Sequence, residues 1–408
     1  MKVDIQSLGT FNRLAQEGAE HAAASLTQMT GIETYVDVTN ITLMSPSDLD
    51  DAFGGREFVG VQIGFDGGLA GETALAFDRE SASTIVDVLV PGASSGESFE
   101  GMARSGVEEV GNIMVGGFVD GWADYLDTQI DITPPAYVEG TGTSVLPDGS
   151  LDRAESDHVF VIQSQMTAVD EEIDAYIYML PEYAALVEML EAQDADDAVP
   201  LEKLTVFNEM TRQGASQAAG NISSMTGIET EVDVSRLTFV PIEDVPNTVD
   251  DTSYVGVVME FKGTPGGYLA ILFDEPSAQT VVDALVPMET EGDGIGEMGE
   301  SAIQEIGNIM TSGFIDGWAN VLQTSIDHTP PELVHDLGAS ILSPIAGRLG
   351  QSQEYAFLMD SAVRTDDDAF QCEIYAIPDE GKLKEALDSL LVERRDQTEP
   401  DPESLFSE

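Results

Sequence analysis

The sequence predicts an α+β fold: an antiparallel-rich six-stranded sheet with long amphipathic helices, pseudo-twofold within itself and present twice in the chain. Three observations predict it. Residues 105–124 recur as 301–320, an offset of 196, with 12 of 20 residues identical. The same offset aligns 11–38 (FNRLAQEGAEHAAASLTQMTGIETYVDV) with 207–234 (FNEMTRQGASQAAGNISSMTGIETEVDV), 59–65 (VGVQIGF) with 255–261 (VGVVMEF), and 82–91 with 278–287. Within each half, an order of helix, three strands and helix is read twice, with the long helices about 96 residues apart.

The first unit opens with a helix near 9–29, followed by strands near 34–44, 57–66 and 69–77. Alternating apolar residues in the second strand and the turn FDGGLAG indicate a hairpin there. A helix at 80–90 closes the unit. The second unit begins with a helix at 101–126, runs through strands near 130–147, 157–169 and 172–180, and ends in a helix at 182–193. The halves divide at AQDADDAVP into domains 1–194 and 195–393. The remaining residues 394–408 are acidic and contain proline, and are expected to be disordered.

Charge narrows the function. The chain carries 76 acidic and 16 basic residues, formally −60, with only five lysines. Such a surface suits molar salt, where screening removes self-repulsion, and a halophilic host follows. It argues against nucleic acid or anionic lipid as a partner. Cys372 is the only cysteine, so no disulfide forms within the chain, and it reads as a small buried hydrophobe. The start, MKVDIQSLGTFNRL, lacks the apolar core of a signal peptide, and no run reaches the ~20 apolar residues of a membrane span. A cytoplasmic protein is expected. His21, His158, His328 and His335 show no metal-ligand spacing, and no P-loop, Gly-x-Ser-x-Gly elbow or dinucleotide fingerprint occurs. The expected metal ligands are none.

The repeated helix is unusual for its glycines: Gly111, Gly116, Gly117 and Gly121 each weaken a helix interior by ~1 kcal/mol relative to alanine. At 100° per residue, with Glu109 at zero, Ser105 falls at about −40°, Asn112 at about −60° and Gly116 at about −20°. Val110, Met114, Val107 and Phe118 lie opposite, at about 100° to about 180°, as a core-facing stripe. Ser105, Glu109 and Asn112 therefore form one outward polar patch. Ser301, Glu305, Asn308 and Ser312 repeat it, against Ile303, Ile306, Met310 and Phe314. Gly111 and Gly307 border the packed side, where a missing side chain permits close approach of another element. The first helix of each half has Arg13 and Gln16, or Glu209 and Arg212, at the places of the Glu and Asn. The scaffold survives without the pair, and the pair survives in the second helix of each half. A retained function predicts that pattern.

The spacing Ser-x3-Glu-x2-Asn, running on into Gly-Asn-Ile-Met, resembles the signature helix of the CheC/CheX/FliY family of chemotaxis phosphatases, which dephosphorylate CheY-type response regulators. The resemblance covers nearly the whole chain and implies one CheC-like domain per half. It implies that Glu109 and Glu305 dock the regulator's active-site lysine, and that Asn112 and Asn308 hold a water in line with the aspartyl phosphate. Ser105 and Ser301 fill the small polar position that opens the motif. It also implies that no cofactor is bound by this chain, that Mg²⁺ comes with the regulator, and that CheD, a receptor deamidase, is a candidate partner. Family domains often carry the motif in both helices. Here Arg13, Gln16, Glu209 and Arg212 break it, so two active sites per chain are expected rather than four. The alternative is a non-enzymatic chemotaxis or motor-switch scaffold that binds phosphorylated CheY or CheD.

Overall fold

The opening helix forms as α1, Ile5–Thr30, and begins earlier than its apolar pattern indicates. The computed structural model describes residues 2–44, 49, 53, 55–67, 70–91, 99–125, 128–147, 159–168, 174–182, 198–249, 252–286, 295–365 and 370–390. They divide between two units, Lys2–Ala198 and Val199–Glu408. The helix expected at 182–193, apart from Glu182, and the tail at 394–408 lie outside the described residues.

In the first unit α1 is followed by β1 (Thr34–Met44), β2 (Glu57–Gly67), β3 (Gly71–Asp78), α2 (Arg79–Leu89) and α3 (Met102–Tyr125). Then come β4 (Ile130–Ile132), β5 (Ala136–Thr141), β6 (Val159–Ala168) and β7 (Asp174–Pro181). The hairpin expected at FDGGLAG is present, β2 pairing antiparallel with β3. The strand expected over 130–147 is broken. Pro134 and Pro135 offer no N–H to a ladder, which separates β4 from β5, and Gly142 at φ +60° starts a 3₁₀ turn, Gly142–Val145.

Strand order supplies what alternation alone leaves open. The sheet runs β1-β6-β7-β3-β2, with β4 and β5 both on the free side of β2, and every pair is antiparallel. With the broken strand β4 and β5 counted as one, exchanging β1, β2 and β3 for β4/β5, β6 and β7 gives the same order read from the other end of the sheet. This is the pseudo-twofold axis, and it passes between the central strands β3 and β7.

The second unit repeats the plan with α4 (Leu201–Thr226), β8 (Glu231–Pro241), β9 (Ser253–Lys262), β10 (Gly267–Asp274), α5 (Glu275–Leu285) and α6 (Glu297–Leu322). It continues through β11 (Asp327–His328), β12 (Glu332–Leu337), α7 (Gly338–Leu349), β13 (Tyr355–Arg364), β14 (Gln371–Pro378) and α8 (Glu380–Ser389). Its sheet order is β8-β13-β14-β10-β9, again with the broken strand β11 and β12 on β9. Among the described residues one difference stands out: α7 begins where the first unit has the 3₁₀ turn Gly142–Val145.

The two long helices of each unit pack side by side on one face of its sheet. Their seam is aromatic. Phe11 meets Trp122 edge-on at 4.8 Å between centroids, and Phe207 lies 5.0 Å from Trp318. Both tryptophans are fully buried, with Leu14, Ala15, Val110, Met114 and Phe118 around Trp122's helix pair. The short helices are set by their caps: Asp78 accepts from the Ser81 N–H at 2.7 Å and Asp274 from the Ser277 N–H at 2.8 Å, each worth about 1 kcal/mol. Cys372 is buried, as a small hydrophobe should be.

At a formal charge of −60 the fold is under self-repulsion wherever salt does not screen it. Lowering the salt from about 3 M to about 0.1 M lengthens the Debye length from under ~3 Å to about 10 Å and is expected to lower the melting temperature by more than roughly 10 °C. A thermal scan at the two salts checks this, and an unchanged midpoint would contradict the salt-adapted reading.

Candidate functional site

The polar patch is built on α3 and α6, and the glycines explain how those helices sit. A Cβ at Gly111 would stand 2.2 Å from Val61 Cγ2 of β2, and one at Gly307 would stand 2.3 Å from Val257 Cγ2 of β9. At the helix–helix seam a Cβ on Gly18 would come 2.9 Å from the Phe118 carbonyl oxygen, and one on Gly214 would come 2.8 Å from that of Phe314. The bare positions thus let the motif helix press onto the sheet and onto its neighbour helix. Gly116 differs, having no neighbour within 4 Å, and it lies along the outward stripe.

That stripe holds the sequence-predicted residues. Ser105, Glu109 and Asn112 are exposed, as are Ser301 and Glu305, and Asn308 is half-buried. One turn further toward the N-terminus, Met102 and Met298 extend the same meridian, since seven residues bring a helix back to within about 20° of Glu109 and Glu305. They are 67% and 51% exposed, a large apolar surface left in water at the same place in both units. Their signal is in the sequence: the same 100° spacing that separates the outward patch from the core stripe puts both methionines on the outward arc, and the offset of 196 repeats them.

Among the described residues, the side chains of Glu109, Asn112, Glu305 and Asn308 have no hydrogen-bond or ion-pair partner. Their donors and acceptors are therefore free for an incoming molecule. Ser301 is spent on its own helix, its hydroxyl donating to the Glu297 carbonyl at 2.9 Å. Beside each stripe runs the double-proline loop between the two short strands. Thr133 and Thr329 fasten that loop to the sheet: Thr133 accepts from the Gly64 N–H at 2.9 Å and Thr329 from the Glu260 N–H at 3.0 Å. In the second unit Gln304, next to Glu305, donates to the Pro331 carbonyl at 3.4 Å. The repeat of Thr-Pro-Pro at 133–135 and 329–331 is the signal that points to this element.

The flanks of the two stripes differ in charge. Near the first, the Arg104 guanidinium lies 4.8 Å over the Tyr137 ring and pairs with Glu108 at 3.1 Å. Tyr137 donates to Glu139 at 2.8 Å, and Glu139 in turn pairs with Arg79. Burial, followed by the hydrogen bond to Glu139 and that carboxylate's charge, pushes the Tyr137 phenol well above its usual range. The corresponding positions of the second unit are Glu300, Leu333, His335 and Glu275. There His335 lies 3.1 Å from Glu275, and Ser253 donates to the same carboxylate at 2.9 Å. These hydrogen bonds, His335's first, hold the Glu275 carboxyl below its ordinary value.

The broken motifs sit on α1 and α4. Arg13 is exposed and donates to Thr10 at 3.4 Å, while Gln16, Glu209 and Arg212 are half-buried. His158 lies outside the described residues. Among the described residues no group of three or more His, Cys, Asp or Glu side chains gathers into a metal site, and no helix is long and apolar enough to cross a membrane.

Comparison with known proteins falls on the same helices. The model of the CheC-like family matches residues 102–139 and 298–335, each beginning at the exposed methionine. CheC1 of Halobacterium salinarum, named for CheY-P phosphatase activity, is 37% identical over 182 residues, covering 44% of this chain and 92% of its own. The CheY-P phosphatase CheC of Bacillus subtilis is 23% identical over 200 residues, 47% of this chain and 95% of its own. Among solved structures, Thermotoga maritima FliY aligns with 46% of this chain and 94% of its own, at 18% identity and a TM-score of 0.36.

Proposed function

This chain belongs to the CheC-like family, and from that premise we propose that it is a CheY-P phosphatase, hydrolysing the aspartyl phosphate of a CheY-type response regulator in the cytoplasm. The observation that carries the reading is the unpartnered Glu and Asn on one exposed helical stripe, kept on α3 and α6 and broken on α1 and α4.

An aspartyl phosphate is an activated acyl phosphate, so the catalyst needs little more than a water held in line. The side-chain amide of Asn112 or Asn308 supplies both a donor and an acceptor at a fixed height above the helix, enough to orient one water. The water oxygen bonds to phosphorus as the bond from phosphorus to the aspartyl oxygen breaks. Inorganic phosphate leaves, the regulator keeps its carboxylate, and the water's proton passes to phosphate or solvent. Glu109 and Glu305 meet the regulator's lysine, a charge-assisted contact that fixes the orientation of docking. Mg²⁺ and that lysine belong to the regulator in this scheme. Ser105 and Ser301, small and at the edge of the stripe, let the partner come close. Arg13 on α1 would repel the lysine, and Arg212 on α4 cannot offer the amide's donor and acceptor together, so each unit works through one site. CheD remains a candidate partner through the family resemblance alone.

Phosphate release from the phosphorylated cognate regulator tests the reading. A decay unchanged by the wild-type chain would remove the phosphatase and leave the binding scaffold. Met102 and Met298 give a second, finer test. If their exposed thioethers are covered by the regulator, M102S with M298S raises KM about fivefold with kcat nearly unchanged. An unaltered KM would place the methionines outside the docking face.

A further inference from the structure

The two stripes diverge at one point close to the amide. Where α3 has Gly116, α6 has Ser312, one turn beyond Asn308 on the same face. Where β4 has Ile132, β11 has His328, and the registers agree: Phe65 faces Ile132 on β2, and Phe261 faces His328 on β9. Ser312 Oγ lies 2.9 Å from the Asn308 carbonyl oxygen and 3.3 Å from His328 Nε2, and His328 Nδ1 lies 3.0 Å from the Thr329 carbonyl oxygen.

A carbonyl only accepts, so Nδ1 must carry a hydrogen to bond Thr329. With the ring neutral, Nε2 accepts a hydrogen bond from the Ser312 hydroxyl, and the Asn308 carbonyl loses that donor. With the ring protonated, Nε2–H donates to Ser312 Oγ, and the hydroxyl turns to the Asn308 carbonyl. Only the imidazolium makes all three contacts at once.

We propose that Ser312 and His328 form a proton-controlled pair that makes the second site, and not the first, respond to pH. His328 is a positioning residue. In both states the Ser312–His328 bond links α6 to β11, and protonation returns the Ser312 hydroxyl to the Asn308 carbonyl and sets a positive charge beside the stripe that meets the phosphoryl group. The titratable and charged groups on the elements around the ring are Asp327 on β11, Lys262 and Glu260 on β9, Glu332, His335 and Asp336 on β12, and Glu297, Glu300, Glu305 and Asp316 on α6. Lys262 stands opposite Asp327 and is paired with Glu260 at 3.4 Å. Imidazole is the side chain that ordinarily changes charge between about pH 5 and about pH 8. The first site has neither member of the pair.

The inference rests on the phosphatase reading, and its test separates the two. Full-length chains with one site silenced, N112A or N308A, are assayed on the phosphorylated regulator at about pH 6 and about pH 8. The chain working through Asn308 is expected to show KM about fivefold higher at the upper pH, and the chain working through Asn112 less than about twofold. H328I, which installs the first site's residue, removes the difference, while I132H with G116S confers it on the first site. Equal pH responses of the two sites, or a response that survives H328I, would overturn the proposal. If no phosphate is released at all, the phosphatase reading fails and the pair is judged by NMR: the Asn308 carbonyl ¹³C shift should titrate with the His328 ring in the wild type and not in S312A. A carbonyl shift independent of the ring would overturn the pair itself.

Discussion

Gly111→Ala is expected to destabilise the first unit by about 2–3 kcal/mol, although alanine favours a helix by roughly 1 kcal/mol over glycine. The added methyl would stand 2.2 Å from Val61 Cγ2 and 2.9 Å from Cγ1, so rotating the valine exchanges one clash for another. Val61 is fully buried and β2 is paired on both sides, so the strand cannot step back. Gly307→Ala should behave alike against Val257. Adding V61A to G111A should restore most of the loss, because it removes the opposing methyls. Gly116→Ala has nothing within 4 Å and should instead stabilise by about 0.5–1 kcal/mol. Denaturant midpoints decide the matter. G111A as stable as wild type would mean that the helix does not depend on that contact for its seat.

Changing both Asn112 and Asn308 to alanine is expected to lower phosphate release by roughly 100-fold or more, with the denaturant midpoint unchanged. Neither side chain has a structural partner among the described residues, so folding has no stake in them. Each single change should leave the other site working, at roughly half of the total rate when both sites turn over equally. Q16A and R212A on the first helices are the controls and should leave release unchanged. A loss from R212A equal to that from N308A would mean that the broken motifs still act.

The motif helix is legible in the sequence because its two duties have different angular addresses. Buried Val110, Met114 and Phe118 lie on one side, and exposed Glu109 and Asn112 on the other. Gly111 is legible for the same reason, since it borders the packed arc, and only its partner, Val61, needs the structure. Long-range pairing is the part that does not read from local pattern. Alternation in VGVQIGF and the turn FDGGLAG give the β2–β3 hairpin, but the strands on its other sides, β5 beside β2 and β7 beside β3, come from distant stretches of chain. The break at Pro134 and Pro135 is visible in the letters, yet a proline at a sheet edge also fits a continuous strand. Ser312 and His328 are further from sight still. They are 16 residues apart on different elements, and the turn after α6 is what brings them together.

The central claim is that this chain is a catalyst and not only a grip for the phosphorylated regulator. Turnover separates the two most directly: the regulator's phosphate is followed with the chain present at a small fraction of its concentration. The expected result is that each chain releases many phosphates and that the regulator's decay quickens in proportion to the chain added. A decay that is unchanged, or that slows because the phosphorylated form is held and shielded, would contradict the account.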